Sequence, residues 1–243
     1  MDSIGMYMLL VTIGVLPSLI WLAYWLRKDA HPEPKVLITK VLLLGIILSP
    51  LAIIFQLLFV QFIARLFGLP SSTLSDGPMF YLWAAFVEEL VKYAAVYFIV
   101  LRSPDFDEPV DAMIYMLTAA LGFAAMENIL VINRVAADGI AATVGIWSLR
   151  FAGATLLHAL SSALLGYFIA LAWYYYEKRK SLFAVGLALA TVFHWSFNLF
   201  ISQMHKSVSL VFSTLLLMIM AFLISSLFDK IKEREGQVTP TVV

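Results

Sequence analysis

The 243-residue sequence contains no cysteine. That removes disulfides, thiolate nucleophiles and cysteine-based metal sites together. Charge is scarce as well: Asp, Glu, Lys and Arg make up 13% of the chain, where a soluble domain carries about 25%. The 16 basic and 16 acidic residues cancel to a net charge of +0, so no basic surplus is available for nucleic acid. No internal repeat and no low-complexity segment is visible. What fills the chain instead is apolar: 62% of residues are hydrophobic. An ordinary cytosolic enzyme, a disordered chain and a fibrous protein are excluded. Apolar runs longer than one core can hide read as a polytopic membrane protein.

A membrane helix needs about 20 mostly apolar residues. Seven stretches meet this, at 6–26, 36–64, 79–101, 110–133, 149–176, 181–202 and 207–228. The expected fold is therefore an all-α polytopic transmembrane bundle of about seven spans, one membrane domain over 1–232 with a polar tail at 233–243. Ser49-Pro50 should kink the second span without ending it. The stretch 135–148 reads as a short interfacial helix. His31-Pro32-Glu33-Pro34 reads as a stiff turn, and His31 and His205 as solvated loop residues. The N-terminus carries Asp2 and no basic residue before Arg27, unlike a cleavable leader, so the first span is expected to stay. Eleven basic residues fall in loops on one side, from Arg27 through Arg234, and only Arg65, Arg134 and Lys206 on the other. The positive-inside rule then puts the N-terminus outside and the C-terminus in the cytoplasm, as expected of a multi-pass membrane protein.

Ionisable residues inside a membrane are expensive, roughly 2.5–3.5 kcal/mol each on insertion scales, and mark functional sites by default. Together with two polar amides they are confined to four consecutive spans: Glu88, Glu89 and Lys92; Glu127 and Asn128; Arg150 and His158; His194 and Asn198. Glu88/Lys92, His158/Ser162 and His194/Asn198 are i,i+4 pairs, so each helix offers one polar stripe. Counted from the outer ends, Glu88, Glu127, His158 and His194 lie roughly 9–14 Å deep in a core about 30 Å thick. Small residues around them, such as Ala119, Gly122, Gly153 and Ser161, permit close helix packing.

Two carboxylates and two imidazoles at one level admit two chemistries. In one, a buried glutamate activates water and an imidazole or amide stabilises the oxyanion. In the other, Glu127, His158 and His194 ligate zinc, with Glu88 as general base. The residues do not decide between the zinc and the metal-free route. Asn128 reads as a helix–helix hydrogen-bonding residue, Ser161 and Ser162 as packing residues, and Arg150 as either a snorkelling side chain or a partner of a site carboxylate. A proton- or cation-coupled transporter is the alternative class, since Glu and His chains also line ion pathways. Against it, the level is off-centre and no matched halves are visible.

Phe86-Val-Glu88-Glu89-Leu-Val-Lys92, Gly122-Phe123-Ala-Ala-Met-Glu127-Asn128, His158-Ala159-Leu160 and His194-Trp-Ser-Phe-Asn198, in this order on four successive spans, resemble the PrsW family of bacterial intramembrane proteases. The turn from Leu26-Arg27-Lys28-Asp29 to Glu33-Pro34 looks like the family's as well. That family is similar to the CAAX prenyl endopeptidases, but Glu127 stands where those enzymes carry a histidine. The resemblance implies an endopeptidase that cuts a single-pass membrane protein near its extracytoplasmic side, such as an anti-sigma factor at the start of a stress-signalling cascade. It also implies roles: Glu88 activates water, with Glu89 orienting the base or the substrate. Glu127 and His158 complete the water or metal site, His194 and Asn198 stabilise the oxyanion, and Lys92 neutralises the glutamates.

Overall fold

The computed structural model describes residues 3–28 and 31–238. Asp2, Asp29 of the first turn and the last five residues of the expected tail lie outside them. The described chain is helical throughout: α1 (Ser3–Leu26), α2 (Lys35–Phe67), α3 (Ser71–Leu74), α4 (Pro78–Ile99), α5 (Asp111–Val135), α6 (Ile140–Leu149), α7 (Thr155–Tyr174), α8 (Arg179–Gln203) and α9 (Lys206–Val238). Pro17 lies inside α1 and Pro50 inside α2, and neither ends its helix. Their missing amides are tolerable where the helix continues on both sides in an apolar medium.

Among the described residues, six helical stretches are long and apolar enough to cross a membrane: Ile4–Leu26, Lys35–Phe67, Asp111–Asp138, Ile140–Tyr174, Tyr176–Gln203 and Lys206–Glu235. The seventh expected span, α4, has 22 residues, about 33 Å at 1.5 Å per residue. It misses that apolar standard because Glu88, Glu89 and Lys92 occupy its middle. α4 lies against α2, α5 and α8, which bury those three side chains. Two boundaries differ from the hydropathy reading. The stretch at 140–149 is α6, and it runs into α7 through a π-helical segment, Arg150–Ala154. α9 extends to Val238, so the first residues of the expected tail are helical.

α5 and α7 form the centre. α5 packs against α7, α2 and α1, and α8 and α9 close the far side of α7. Every residue of α5 from Asp111 to Ala125 is buried, so this helix is apolar all round because it touches protein all round. The outer helices instead present Ile47, Met218 and Phe222 outward, where lipid chains would solvate them. Close approach depends on Gly45 and Gly122 at the α2–α5 crossing. A Cβ on Gly45 would stand 2.3 Å from the Ala119 carbonyl oxygen, and one on Gly122 2.1 Å from that of Leu42. Packing of small residues is what holds membrane helices together where no hydrophobic effect acts between them.

One end of the bundle gathers the basic loops. Tyr115 Oη donates to Glu33 Oε2 at 2.5 Å, His31 Nδ1 lies 2.7 Å from Glu108 Oε1, and the Val110 amide donates to Glu235 Oε1 at 2.9 Å. His31, although its side chain is largely exposed, thus has an acidic neighbour. Lys28 Nζ reaches Ser225 Oγ at 2.9 Å. These bonds join the α1–α2 turn, the α4–α5 loop and the end of α9, as alternating spans require.

Candidate active site

α4, α5, α7 and α8 bring one polar cluster into the middle of the bundle. Glu88, Glu89, Lys92, His158 and His194 are all buried, and Glu127 is partly open. Glu89 is the most fully bonded. Its Oε1 accepts from Lys92 Nζ at 2.7 Å, Ser161 Oγ at 2.9 Å and His194 Nδ1 at 2.9 Å, and its Oε2 accepts from Ser162 Oγ at 2.6 Å. A buried carboxylate is tolerated when each lone pair has a donor, and here the donors come from three helices. Ser161 and Ser162, which read as packing residues, are therefore part of the polar network.

The partners fix the imidazole tautomers. Glu89 only accepts, so His194 carries its proton on Nδ1 and leaves the Nε2 lone pair free. Lys92 Nζ only donates, and it lies 2.8 Å from His158 Nδ1. His158 therefore carries its proton on Nε2, which donates to Glu127 Oε2 at 2.8 Å. The Lys92 ammonium also sits 4.9 Å from the centre of the Phe123 ring, a cation–π contact that helps replace lost water.

Glu88 completes the arrangement. Its Oε1 accepts from Gln56 Nε2 at 3.0 Å. Its Oε2 is buried without a hydrogen-bond partner among the described residues, 3.6 Å from His194 Nε2 and 3.8 Å from His158 Nδ1. Three electron-pair donors thus face one point, and Glu88, His158 and His194 together have the spacing to hold a metal ion. Four tetrahedral zinc ligands at about 2.1 Å from the ion stand about 3.4 Å apart, close to these separations. Behind each imidazole stands a carboxylate on its other nitrogen, Glu89 for His194 and Glu127 for His158. That pairing orients metal-ligating histidines and raises their basicity. An ion on His158 Nδ1 needs the Lys92 ammonium to turn fully to Glu89. The structure thus sets Glu88 beside the two imidazoles, with Glu127 on the far nitrogen of His158.

Arg150 pairs with a site carboxylate. Its Nη2 donates to Glu127 Oε2 at 3.0 Å and its Nε to Asn128 Oδ1, while Asn128 Nδ2 donates to Thr155 Oγ1 at 3.0 Å. Arg150 opens the π segment, a form of backbone found mostly at functional sites. The segment's Phe151 carbonyl accepts from Trp21 Nε1 at 2.9 Å. Asn198 is half-buried one turn beyond His194, and among the described residues its amide makes no hydrogen bond. Gln56 was not among the expected site residues. The signal for it is an amide between Phe55 and Leu57 in an apolar span, five residues before Gln61.

A polytopic helical membrane protein with a buried carboxylate–imidazole centre suits hydrolysis inside the bilayer. Residues 33–226 match the description "PrsW family intramembrane metalloprotease". Proteins named Protease PrsW are similar to the chain: that of Geobacillus kaustophilus (strain HTA426) is 31% identical over 172 residues, 70% of each chain. That of Oceanobacillus iheyensis is 26% identical over 211 residues, 86% of this chain and 90% of its own. That of Bacillus subtilis (strain 168) is 25% identical over 202 residues, 80% of this chain and 84% of its own. No solved structure matches. The chain belongs to the PrsW family. It is an intramembrane protease, a multi-pass protein of a bacterial membrane that acts on protein. Coupled transport has no observation in its support.

Proposed function

We propose that this protease hydrolyses a peptide bond near the extracytoplasmic end of a single-pass membrane protein, and that Glu88, Glu127, His158, His194 and Asn198 carry the reaction. The substrate class we infer is a membrane-anchored regulator such as an anti-sigma factor, cut at the first site of a stress-signalling cascade. The observation that carries the reading is Glu88 Oε2, a buried carboxylate oxygen without a donor that faces two imidazole nitrogens. Buried polar atoms are rarely left unpaired, and an exception calls for a use.

Glu88 Oε2 takes the proton of the attacking water while Gln56 holds its other oxygen. His194 Nε2, 3.6 Å away, receives that proton and gives it to the departing amine nitrogen as the C–N bond of the tetrahedral intermediate breaks. Asn198, one turn further on α8, donates its amide to the carbonyl oxygen as that atom gains charge. Glu89, enclosed by four donors, positions Lys92 and His194 and does not reach substrate. Glu127 and Arg150 hold His158. The same donors fit the divalent ion that the family description implies: Glu88, His158 and His194 would hold it. When bound it supplies Lewis acidity to the water and the scissile carbonyl. Glu127, on the far nitrogen of His158, would then orient that ligand.

N-terminal profiling of membrane proteins tests the reading in cells carrying the wild type or Glu88→Gln. New N-termini just outside a single transmembrane span, present with the wild type alone, are expected. Identical profiles under several envelope stresses would count against the proposed reaction centre.

A further inference from the structure

Hydrolysis needs water and a peptide at Glu88, yet Glu88 is almost wholly enclosed. Gln56 touches Glu88 and also faces open space. Gln56 donates from Nε2 to Glu88 Oε1 and also lines a cavity of about 320 Å³ between α2, α3 and the start of α4. The walls are Ile53, Leu57 and Phe80, and Ser71, Ser72 and Ser75 of the α3 turn form the rim. Gln56 Oε1 accepts no hydrogen bond among the described residues, nor are the Ser71 and Ser72 hydroxyls engaged. The cavity lies at the end of the bundle that is poor in basic residues, remote from the joined loops around Glu33 and Glu108.

We propose that this cavity is the entrance through which water and the scissile stretch of the substrate reach Glu88, with Gln56 as its floor. The inference rests on the protease reading for its substrate half alone. The occupant is an extended peptide at the end of a transmembrane segment. Such a peptide has apolar side chains that suit the Ile53, Leu57 and Phe80 walls. Its backbone, once out of helix, has amides that need acceptors in a place with little water. The serine hydroxyls and Gln56 Oε1 supply them. Gln56 is thereby both a positioning residue for Glu88 and a contact for the peptide.

The absence of native cysteine makes the test direct, because every introduced thiol is the sole one. Gln56→Cys, Ser72→Cys and Leu58→Cys are compared in nanodiscs with a small charged methanethiosulfonate reagent. Leu58 is on the same helix and faces outward. Gln56→Cys and Ser72→Cys should react at least about tenfold faster than Leu58→Cys, because only a hydrated thiol ionises to the reactive thiolate. Equal rates at Gln56 and Leu58 overturn the entrance. In the second arm a large polyethylene-glycol maleimide is attached at Ser72→Cys or, at the opposite end, at Ser181→Cys. The probe is the membrane protein whose cleavage separates wild type from Glu88→Gln. Cleavage should fall with the Ser72 adduct relative to the same variant unmodified, and the Ser181 adduct should not change its own variant's rate. The reverse pattern overturns the substrate path. A wild type that cleaves nothing overturns the protease reading and the substrate half with it, while the labelling still decides the water path.

Discussion

At the scale of single residues, the two adjacent glutamates of α4 have opposite surroundings. Glu89 has a donor on every side and Glu88 has one oxygen bare. Their substitution should separate stability from activity. Lys92→Met leaves the Glu89 carboxylate buried without its cation and should cost about 3–5 kcal/mol, read as a lower midpoint of thermal unfolding in detergent. Glu88→Gln keeps an oxygen for the Gln56 amide and removes no donor from Oε2, so its midpoint should stay near the wild type's. Its cleavage rate should fall by about 10²–10⁴, the usual contribution of a positioned acid–base group. A Glu88→Gln protein that unfolds as readily as Lys92→Met would show that the bare oxygen is structural. The sequence made the ionisable members of this cluster legible because charge inside a membrane is rare. It did not show which glutamate was bare, since that depends on Ser161, Ser162 and Gln56, neutral groups that any span tolerates.

At the scale of helices, the α2–α5 crossing fixes the distance across which Gln56 meets Glu88 from the neighbouring α4. Gly122→Ala puts a methyl against the Leu42 carbonyl and should cost about 1–3 kcal/mol, as overpacking does. The unfolding midpoint reads this, and a midpoint equal to the wild type's would mean that the helices separate freely. The π segment makes a second prediction. Trp21→Phe removes the donor to the Phe151 carbonyl and should cost about 1 kcal/mol. Because Arg150 opens the same segment and reaches Glu127, His158 should also become less ordered, visible as a broadened imidazole NMR signal. Hydropathy located α1, α2 and α5 well, since a helix that meets lipid or is buried on every side needs a long apolar run. It placed the start of the fifth span at 149 and read 135–148 as a separate short interfacial helix. In the structure α6 begins directly after Gly139 and joins α7 through backbone whose widened turn no residue pattern announces.

At the scale of the molecule, the bundle has one end tied by acidic and basic loops and another carrying the cavity above Gln56. If the basic end is cytoplasmic, a phosphatase fused within 69–77 should be active and one fused within 103–108 inactive. The opposite result would reverse the orientation and with it the side on which substrates are cut. The spans were readable from apolar composition, the polar residues from the rarity of charge in a membrane, and the family from the resemblance carried by four motifs in order. Which carboxylate stands beside both imidazoles was not, because four helices must pack before Glu88 and Glu127 take different sides of His158. The central claim is that Glu88, His158 and His194 form one centre with Glu127 behind it. Zinc content and affinity of the purified wild type, Glu88→Gln and Glu127→Gln test it most directly. With zinc supplied, the account predicts stoichiometric binding by the wild type, none by Glu88→Gln, and binding by Glu127→Gln that is weaker by about 10–100-fold, as when a partner behind a ligand is removed. A Glu88→Gln protein that keeps its zinc while Glu127→Gln loses it would contradict the account.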